Sequence, residues 1–363
     1  SDLTTAISET DQGAVIKIGS DIELSAALII DKPGIVLEGS SSAPPTLKVL
    51  NPSRVLEIGS SGSVIISGVI IQGGSGSNNG GCVHIAAGGS LSLQFSKVRD
   101  CSSTRLGGGI YAVGAALVIN NTRFEDNSVG NADYNNYFEG GGIYANGGSL
   151  YIRDSVFEGN YAGTPGGSYN NGGARGGAIA SRNAQVDLYG TAFDQNRCSK
   201  GWNGINYGGA FFLSGGELAL VRSQFTSNIA STQSETKKAQ GGAIWIGGGA
   251  TAEIKEVFFS DNVAIRTGGA TSKWDGNDIY METGATVTCN QQTCPLETFS
   301  LPSASCSAPN TIQCSNLCST SCLSAYCSSF QADCWQLRPT SVPSAQPTGQ
   351  PSSEPSSQPS SNS

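Results

Sequence analysis

The sequence predicts an all-β chain: a single-stranded right-handed parallel β-helix, or solenoid, followed by a disulfide-rich segment and an extended Pro/Ser tail. Three observations predict it. A motif recurs through the middle of the chain, starting at Gly80, Gly108, Gly141, Gly176, Gly208, Gly241 and Gly268, with spacings of 28, 33, 35, 32, 33 and 27 residues. Each copy holds short stretches in which apolar and polar residues alternate, and no helical stripe survives across its glycines. The composition agrees, with 49 Gly among 363 residues and only 13% charged residues, roughly twice the ordinary glycine and half the ordinary charge.

Residues 1–79 lack the motif but keep the alternation in AVIKI, IELSAALII, GIVLEG, TLKVL, RVLEI and SVIISGVII. They read as a cap and the first two or three coils. Asp2 to Glu9 is expected to form a short helix over the open end, which blocks edge-to-edge pairing of strands. Ser1 in place of an initiating Met reads as a processed N-terminus or as the boundary of a longer chain's fragment.

Residues 80–288 carry the repeat. GGIYA at Gly108 leads to LVI at Leu117 and FEDN at Phe124, and the later copies repeat this through GGAIW at Gly241, AEI at Ala252 and FSDN at Phe259. Three short strands cannot stand alone as a sheet, but stacked copies can, each strand pairing in parallel with its equivalent one coil later at about 4.8 Å. The alternation points Leu117, Ile119, Leu150, Ile152, Val186, Leu188, Leu218 and Leu220 inward. Phe124, Phe157, Phe193, Phe225 and Phe259 should form a second internal column. Asn127, Asn160, Asn196, Asn228 and Asn262 then occupy one turn, where stacked amides satisfy one another. The glycine pairs allow a tight turn and are not followed by the Lys-Ser/Thr of a phosphate-cradling loop.

Residues 289–335 hold Cys289, Cys294, Cys306, Cys314, Cys318, Cys322, Cys327 and Cys334. Without His or a clean CxxC pair, disulfides are expected rather than zinc, in a segment lying over or beside the end of the helix. Cys82 and Cys101 lie at corners that a disulfide can bridge if geometry allows. Cys198 is then the odd thiol: buried, tied to the Cys-rich segment, or available to another molecule. This cysteine usage places the protein in an oxidising, secreted or cell-surface setting. The sequon Asn120-Asn121-Thr122 makes Asn120 a candidate for N-glycosylation. In residues 336–363 proline recurs every fourth residue from Pro339 to Pro359, which favours extended polyproline II over a packed core.

The GGA-I … F-x-x-N pattern over residues 80–288 resembles the chlamydial polymorphic outer-membrane protein repeat, also found in secreted proteins of eukaryotic microbes. That resemblance implies a β-helical adhesin or surface protein, without the membrane β-barrel that follows the repeats in the bacterial proteins. The tail resembles Pro-Ser repeats of secreted stramenopile proteins. It implies hydroxylation of Pro343, Pro347, Pro351, Pro355 and Pro359 and O-glycosylation of Ser352, Ser353, Ser356, Ser357 and Ser360; a plain linker or stalk is the alternative.

The single His leaves one imidazole base and rules out His-rich metal sites, and no cofactor is expected. A net charge of −8 argues against nucleic acid or anionic membrane as partner. The longest apolar runs, Ala26–Ile30 and Val64–Ile71 (interrupted at Ser67 and Gly68), are too short to span a bilayer. Hydrolysis on this scaffold needs paired carboxylates on an outer face. The outward column Ser92, Val118, Tyr151, Asp187, Ala219, Glu253 offers only two, separated by two rungs. Asp126, Asp133 and Glu139 are isolated. The expectation is therefore a protein without catalysis.

Two features point to binding. If the Ile of GGAI faces inward, His84, Tyr111, Tyr144, Ala180, Phe212 and Trp245 form an outer strip, either an interface or a surface covered by a loop or the Cys-rich segment. The loops between the Asn turn and the next glycine pair bring Tyr134, Tyr137, Tyr169, Trp202 and Tyr207 to one corner, with Asn170, Asn171, Asn203 and Asn206. They form either a recognition surface or loops packed on one another. The expected role is that of a structural or adhesive extracellular protein that self-assembles or binds other extracellular proteins or glycans, with the tail of one copy entering the strip of the next. The alternative is a polysaccharide-binding or polysaccharide-modifying β-helix.

Overall fold

A computed structural model describes residues 3–39, 43–76, 78–130, 137–164, 172–200, 204–234, 237–266, 273–274, 277–290, 299–300 and 311–315. The described chain is a parallel β-helix whose strands stack into sheets of 11, 10, 9, 8 and 4 strands. Three sheets correspond to the three stretches read in each copy. A long-strand sheet runs from Val15–Ile18 through Ala116–Asn120 and Glu217–Val221 to Thr286–Asn290. A GG sheet, entered after the glycine pairs, includes Ile110–Val113, Ile143–Asn146, Ile179–Arg182 and Phe211–Ser214. A Phe sheet includes Arg123–Glu125, Val156–Glu158 and Ala192–Asp194.

Every inward position expected from the alternation is buried, including Leu117, Ile152, Leu188 and Leu220. The Phe column stacks nearly parallel, with centroids 4.6 Å apart for Phe124–Phe157 and 4.5 Å for Phe193–Phe225. Offset stacking adds to the burial of each ring.

Two further sheets were not legible as strands. A post-Asn sheet contains Ser102–Ser103, Ser128–Val129, Tyr161–Gly163, Arg197–Lys200, Ile229–Thr232 and Val263–Arg266. An outer layer contains Phe138–Glu139, Gly173–Arg175, Ile205–Tyr207 and Ala239–Gln240. Strands of two to four residues are too short to show a clear alternation. Val129, Phe138, Ala162, Ala174 and Cys198 form a separate small core.

Two polar ladders run through the interior. Each ladder asparagine donates one Nδ2 hydrogen to the next asparagine's Oδ1, at 2.9 Å for Asn127 to Asn160 and 3.0 Å for Asn196 to Asn228. The other goes to a backbone carbonyl one coil earlier, at 2.9 Å for Asn160 to Phe124 and Asn196 to Phe157. The same Oδ1 also accepts the preceding asparagine's backbone N–H, as Asn228 does from Asn196 at 3.0 Å. Each buried amide is thereby fully satisfied. The residue before each asparagine is left-handed, as at Asp126, Gln195, Ser227 and Asp261. The second ladder consists of buried hydroxyls, Ser96, Thr122, Ser155, Thr191 and Ser223. Each donates to the carbonyl two residues earlier, as Ser155 does to Arg153 at 2.7 Å. The hydroxyl oxygen accepts the backbone N–H of the coil before, as Ser155 does from Thr122 at 3.2 Å.

Both ends of the Asn ladder are terminated. At the first, Cys101 takes the asparagine's place, gives its N–H to Asn127 Oδ1 at 3.2 Å, and is disulfide-bonded to Cys82 with Cα atoms 5.4 Å apart. At the other, Asn262 donates to Asp278. Helix α1 (Leu3–Glu9) covers the N-terminal end of the barrel with Leu3 and Ile7 buried. Lys32 closes its last turn by donating Nζ hydrogens to the carbonyls of Ile7, Ser8 and Thr10 at 3.3, 2.6 and 3.1 Å, the charge a helix C-terminus favours.

At the other end, strand pairing runs on beyond residue 288. Phe299–Ser300 pairs with Ile279–Tyr280, and Thr311–Ser315 pairs with Thr286–Asn290, bringing Cys314 beside Cys289 in register. Two strands of the segment expected to lie over or beside the end of the helix thus add to its sheets. Cys294, Cys306, Cys318, Cys322, Cys327, Cys334 and residues 336–363 lie outside the described residues.

Candidate functional site

The glycine pairs explain what happens to the aromatic strip. Gly140 has φ +69°, and a Cβ there would run into the carbonyl of Ile143; Gly107, Gly176, Gly208 and Gly241 repeat the arrangement. The chain arrives along the outer layer, doubles back at the first glycine, and enters the GG sheet beneath itself. The residue after the inward Ile therefore faces outward, as the sequence implied, but toward the same coil's own outer layer.

Tyr144, Ala180, Phe212, Trp245 and Tyr280 are consequently buried in a cluster separate from the main core. Phe212 and Trp245 stack with centroids 4.7 Å apart, and Tyr207 of the outer layer stacks on Trp245 at 4.6 Å. Of the two alternatives for the strip, an open interface or a covered surface, the covered one holds from Tyr144 onward, where a second layer closes over it. A tail from a neighbouring copy has no place to enter there. Burial pushes the phenol pKa values of Tyr144 and Tyr207 up to about 12.

At Ala180 the column carries a methyl in place of a ring, and two guanidiniums lie against the next ring. Arg175 lies 5.3 Å and Arg182 5.2 Å from the Phe212 ring centroid, and Arg175 also lies 3.8 Å from that of Tyr137. Both are anchored by Glu139, which accepts from Arg175 Nη1 and from Arg182 Nε and Nη2, each at 2.7 Å. Glu139, expected to be an isolated loop residue, is buried, and its hydrogen bond raises the pKa of Arg182 against the opposing effect of burial. A buried carboxylate shared by two arginines fixes the outer layer on the strip and is fully paired.

Of the other candidates, Tyr137 is exposed on its free side and Tyr207 is half-buried. Asn206 is structural: it accepts from Ala174 N at 3.0 Å and donates to Ser231 O at 2.6 Å. Tyr134, Tyr169, Trp202, Asn170, Asn171 and Asn203 lie outside the described residues. Cys198 is buried and donates to the Ala174 carbonyl at 2.8 Å, so among its expected fates the intermolecular bond is removed. Asn120 ends a long-strand-sheet strand between Gln94 and Arg153, and its sequon partner Thr122 is a ladder hydroxyl. Asp187, Ala219 and Glu253 stand in register as expected, and Glu253 pairs with Lys255 at 2.6 Å.

The strip stays part-exposed at its N-terminal end. His84 stacks on Tyr111 with centroids 5.2 Å apart, and Tyr111 on Tyr144 at 5.4 Å. Glu57 occupies the next place in the column, on the other side of His84. Arg54 reaches over from the preceding turn, 3.4 Å from Glu57 and 3.1 Å from the Asn79 carbonyl. The imidazole pKa is lowered, chiefly by burial and then by the charge of Arg54, which favours the neutral ring. Sequence reasoning missed Arg54, Glu57 and Asn79 because they lie just before the first full repeat, where the motif gives no register.

No family model and no curated protein matches the sequence. Among solved structures, a crystal structure of a DFA-IIIase variant from Arthrobacter chlorophenolicus is similar with a TM-score of 0.32 and 13% identity, over 86% of this chain and 93% of that one.

Proposed function

We propose that the chain is a non-catalytic, extracellular structural or adhesive protein that works as a stiff rod presenting its outer faces. The observation that carries this reading is the Asn ladder, an unbroken run of hydrogen bonds made by buried asparagine side chains between the Cys101 backbone and Asp278, closed at its start by a disulfide. Such a ladder couples each coil from Cys101 onward to the next and suits load or display rather than an opening active site. The disulfide supports an oxidising compartment. With α1 over one end, assembly would proceed side by side rather than through strand pairing at that end. Negative-stain electron microscopy of the native, unreduced protein tests this: laterally associated rods or filaments are expected, and isolated rods would overturn the fibre-building part. A second reading, a polysaccharide-binding β-helix, is favoured by the part-exposed His84–Tyr111 end of the strip. Binding to a glycan array would favour it.

A further inference from the structure

The outer layer roofs the strip only from Glu139 onward. Over His84 and Tyr111 its column is continued by Asn79 and Leu106, joined only through the isolated bridges Asn79–Leu106 and Leu106–Glu139. At this place three buried side-chain atoms have no hydrogen-bond partner: Arg54 Nε, Asn79 Oδ1 and His84 Nδ1. They belong to one cluster, since Arg54 bonds the Asn79 backbone and ion-pairs with Glu57, the register neighbour of His84. Buried polar groups without partners are uncommon and costly, and three in one cluster at the part-exposed end of an aromatic column mark a place built to receive something.

The chemistry of the set selects the ligand. Arg54 Nε–H can only donate, Asn79 Oδ1 can only accept, and His84 Nδ1 does either according to its tautomer. A carboxylate or phosphate would leave Asn79 unmet, and an ammonium would leave Arg54 unmet. Hydroxyl groups donate and accept at once. Glu57 beside Arg54 offsets the positive charge, and Leu106 and Tyr111 supply an apolar flank for C–H groups. We propose that this end of the strip is a binding subsite for a neutral saccharide, with hydroxyls on Arg54, Asn79 and His84. Arg54 is the part that yields on entry, because one long ion pair and one carbonyl bond hold it.

The subsite deepens the second reading above and is independent of the rod reading; isolated rods that bind sugar here would uphold it while ending the fibre proposal. The test is a glycan array of neutral β-glucans, mannans and galactans, with alginate and polygalacturonate as the anionic arm, followed by calorimetric titration of the strongest neutral oligosaccharide. Binding of a neutral oligosaccharide is expected, weakened at least tenfold in Arg54→Met and Asn79→Ala and unchanged in Tyr137→Ala. Because the chain has one His, its imidazole NMR signals report the site directly in the unaltered protein, and saturation with that oligosaccharide should shift them. Binding of anionic glycans alone, no neutral binding, or neutral binding that leaves the imidazole signals unmoved would each overturn the proposal.

Discussion

Asn262 donates its Nδ2 hydrogen to Asp278 Oδ1 at 2.8 Å, so the ladder of neutral amides ends on a carboxyl group. Every amide in the column points its N–H the same way, and Asp278 receives the positive end. Burial, with a smaller contribution from Asp261, nevertheless raises its pKa above the ordinary 3.8.

A carboxyl whose pKa is raised on folding binds its proton more tightly in the folded chain. Its stabilising contribution is therefore present below the ordinary value and is lost as pH rises through the folded pKa. Asp278→Asn keeps an oxygen for Asn262 and removes the charge. It should be more stable than the natural chain at neutral pH and should lose that part of the pH dependence, as read from thermal unfolding across the acidic range. Asp278→Ala should be less stable than Asp278→Asn, because Asn262 then loses an acceptor.

In mid-ladder, Asn196→Ala removes bonds to Phe157 and Asn228 and leaves Asn160 without its acceptor. The expected loss is about 2–4 kcal/mol, seen as an earlier urea transition. Asn196→Asp should also destabilise, since it places a charge where Asn228 Oδ1 offers only an acceptor.

Gly140→Ala should detach the outer layer in its coil, because the new methyl collides with backbone that cannot yield. Gly13→Ala has equally positive φ but open space around it, and should cost only about 1 kcal/mol of backbone strain. Limited proteolysis near Tyr137 separates the two, with early cutting expected for Gly140→Ala alone.

Cys198 should resist alkylation in the native protein and react once the chain is unfolded. It is buried, and burial pushes its thiol pKa upward, away from the reactive thiolate. Peptide mapping should find Cys82 and Cys101 unlabelled in either state until a reductant is added. Labelling of Cys198 in the native state would contradict the small core around it.

Glu139→Ala leaves Arg175 and Arg182 without their shared carboxylate. Breaking one side of a buried pair costs about 3–5 kcal/mol, and the loss should appear first as release of the outer layer. Rising Tyr137 exposure to chemical nitration measures it.

The main barrel was legible because its signals are periodic. Leu117, Phe124 and Asn127 recur with the same offsets in each copy, and parallel stacking turns sequence equivalence into spatial contact. The hydroxyl ladder was in plain view but mixes Ser with Thr and follows unlike residues, Phe95, Asn121, Asp154 and Arg222, so no motif drew attention to it. The outer face of Tyr144 and Trp245 follows from alternation, but alternation leaves open whether that face is covered. That depends on a layer two or three residues wide, entered from loops whose residues look like surface. Arg54 and Asn79 come together with His84 only across coils, and nothing in their local sequence announces it.

The doubling back at the glycine pairs also fixes where the chain tolerates change. Copies differ in length, yet the GG, long-strand and Phe sheets keep residue-for-residue register from one coil to the next. Most of the difference is taken up between the post-Asn strand and the outer layer, as between Val129 and Phe138 or between Gly163 and Gly173. That corner is a natural graft point: foreign peptides inserted there in successive coils would be displayed in a row at the pitch of the rungs, about 4.8 Å, as a molecular ruler for multivalent presentation.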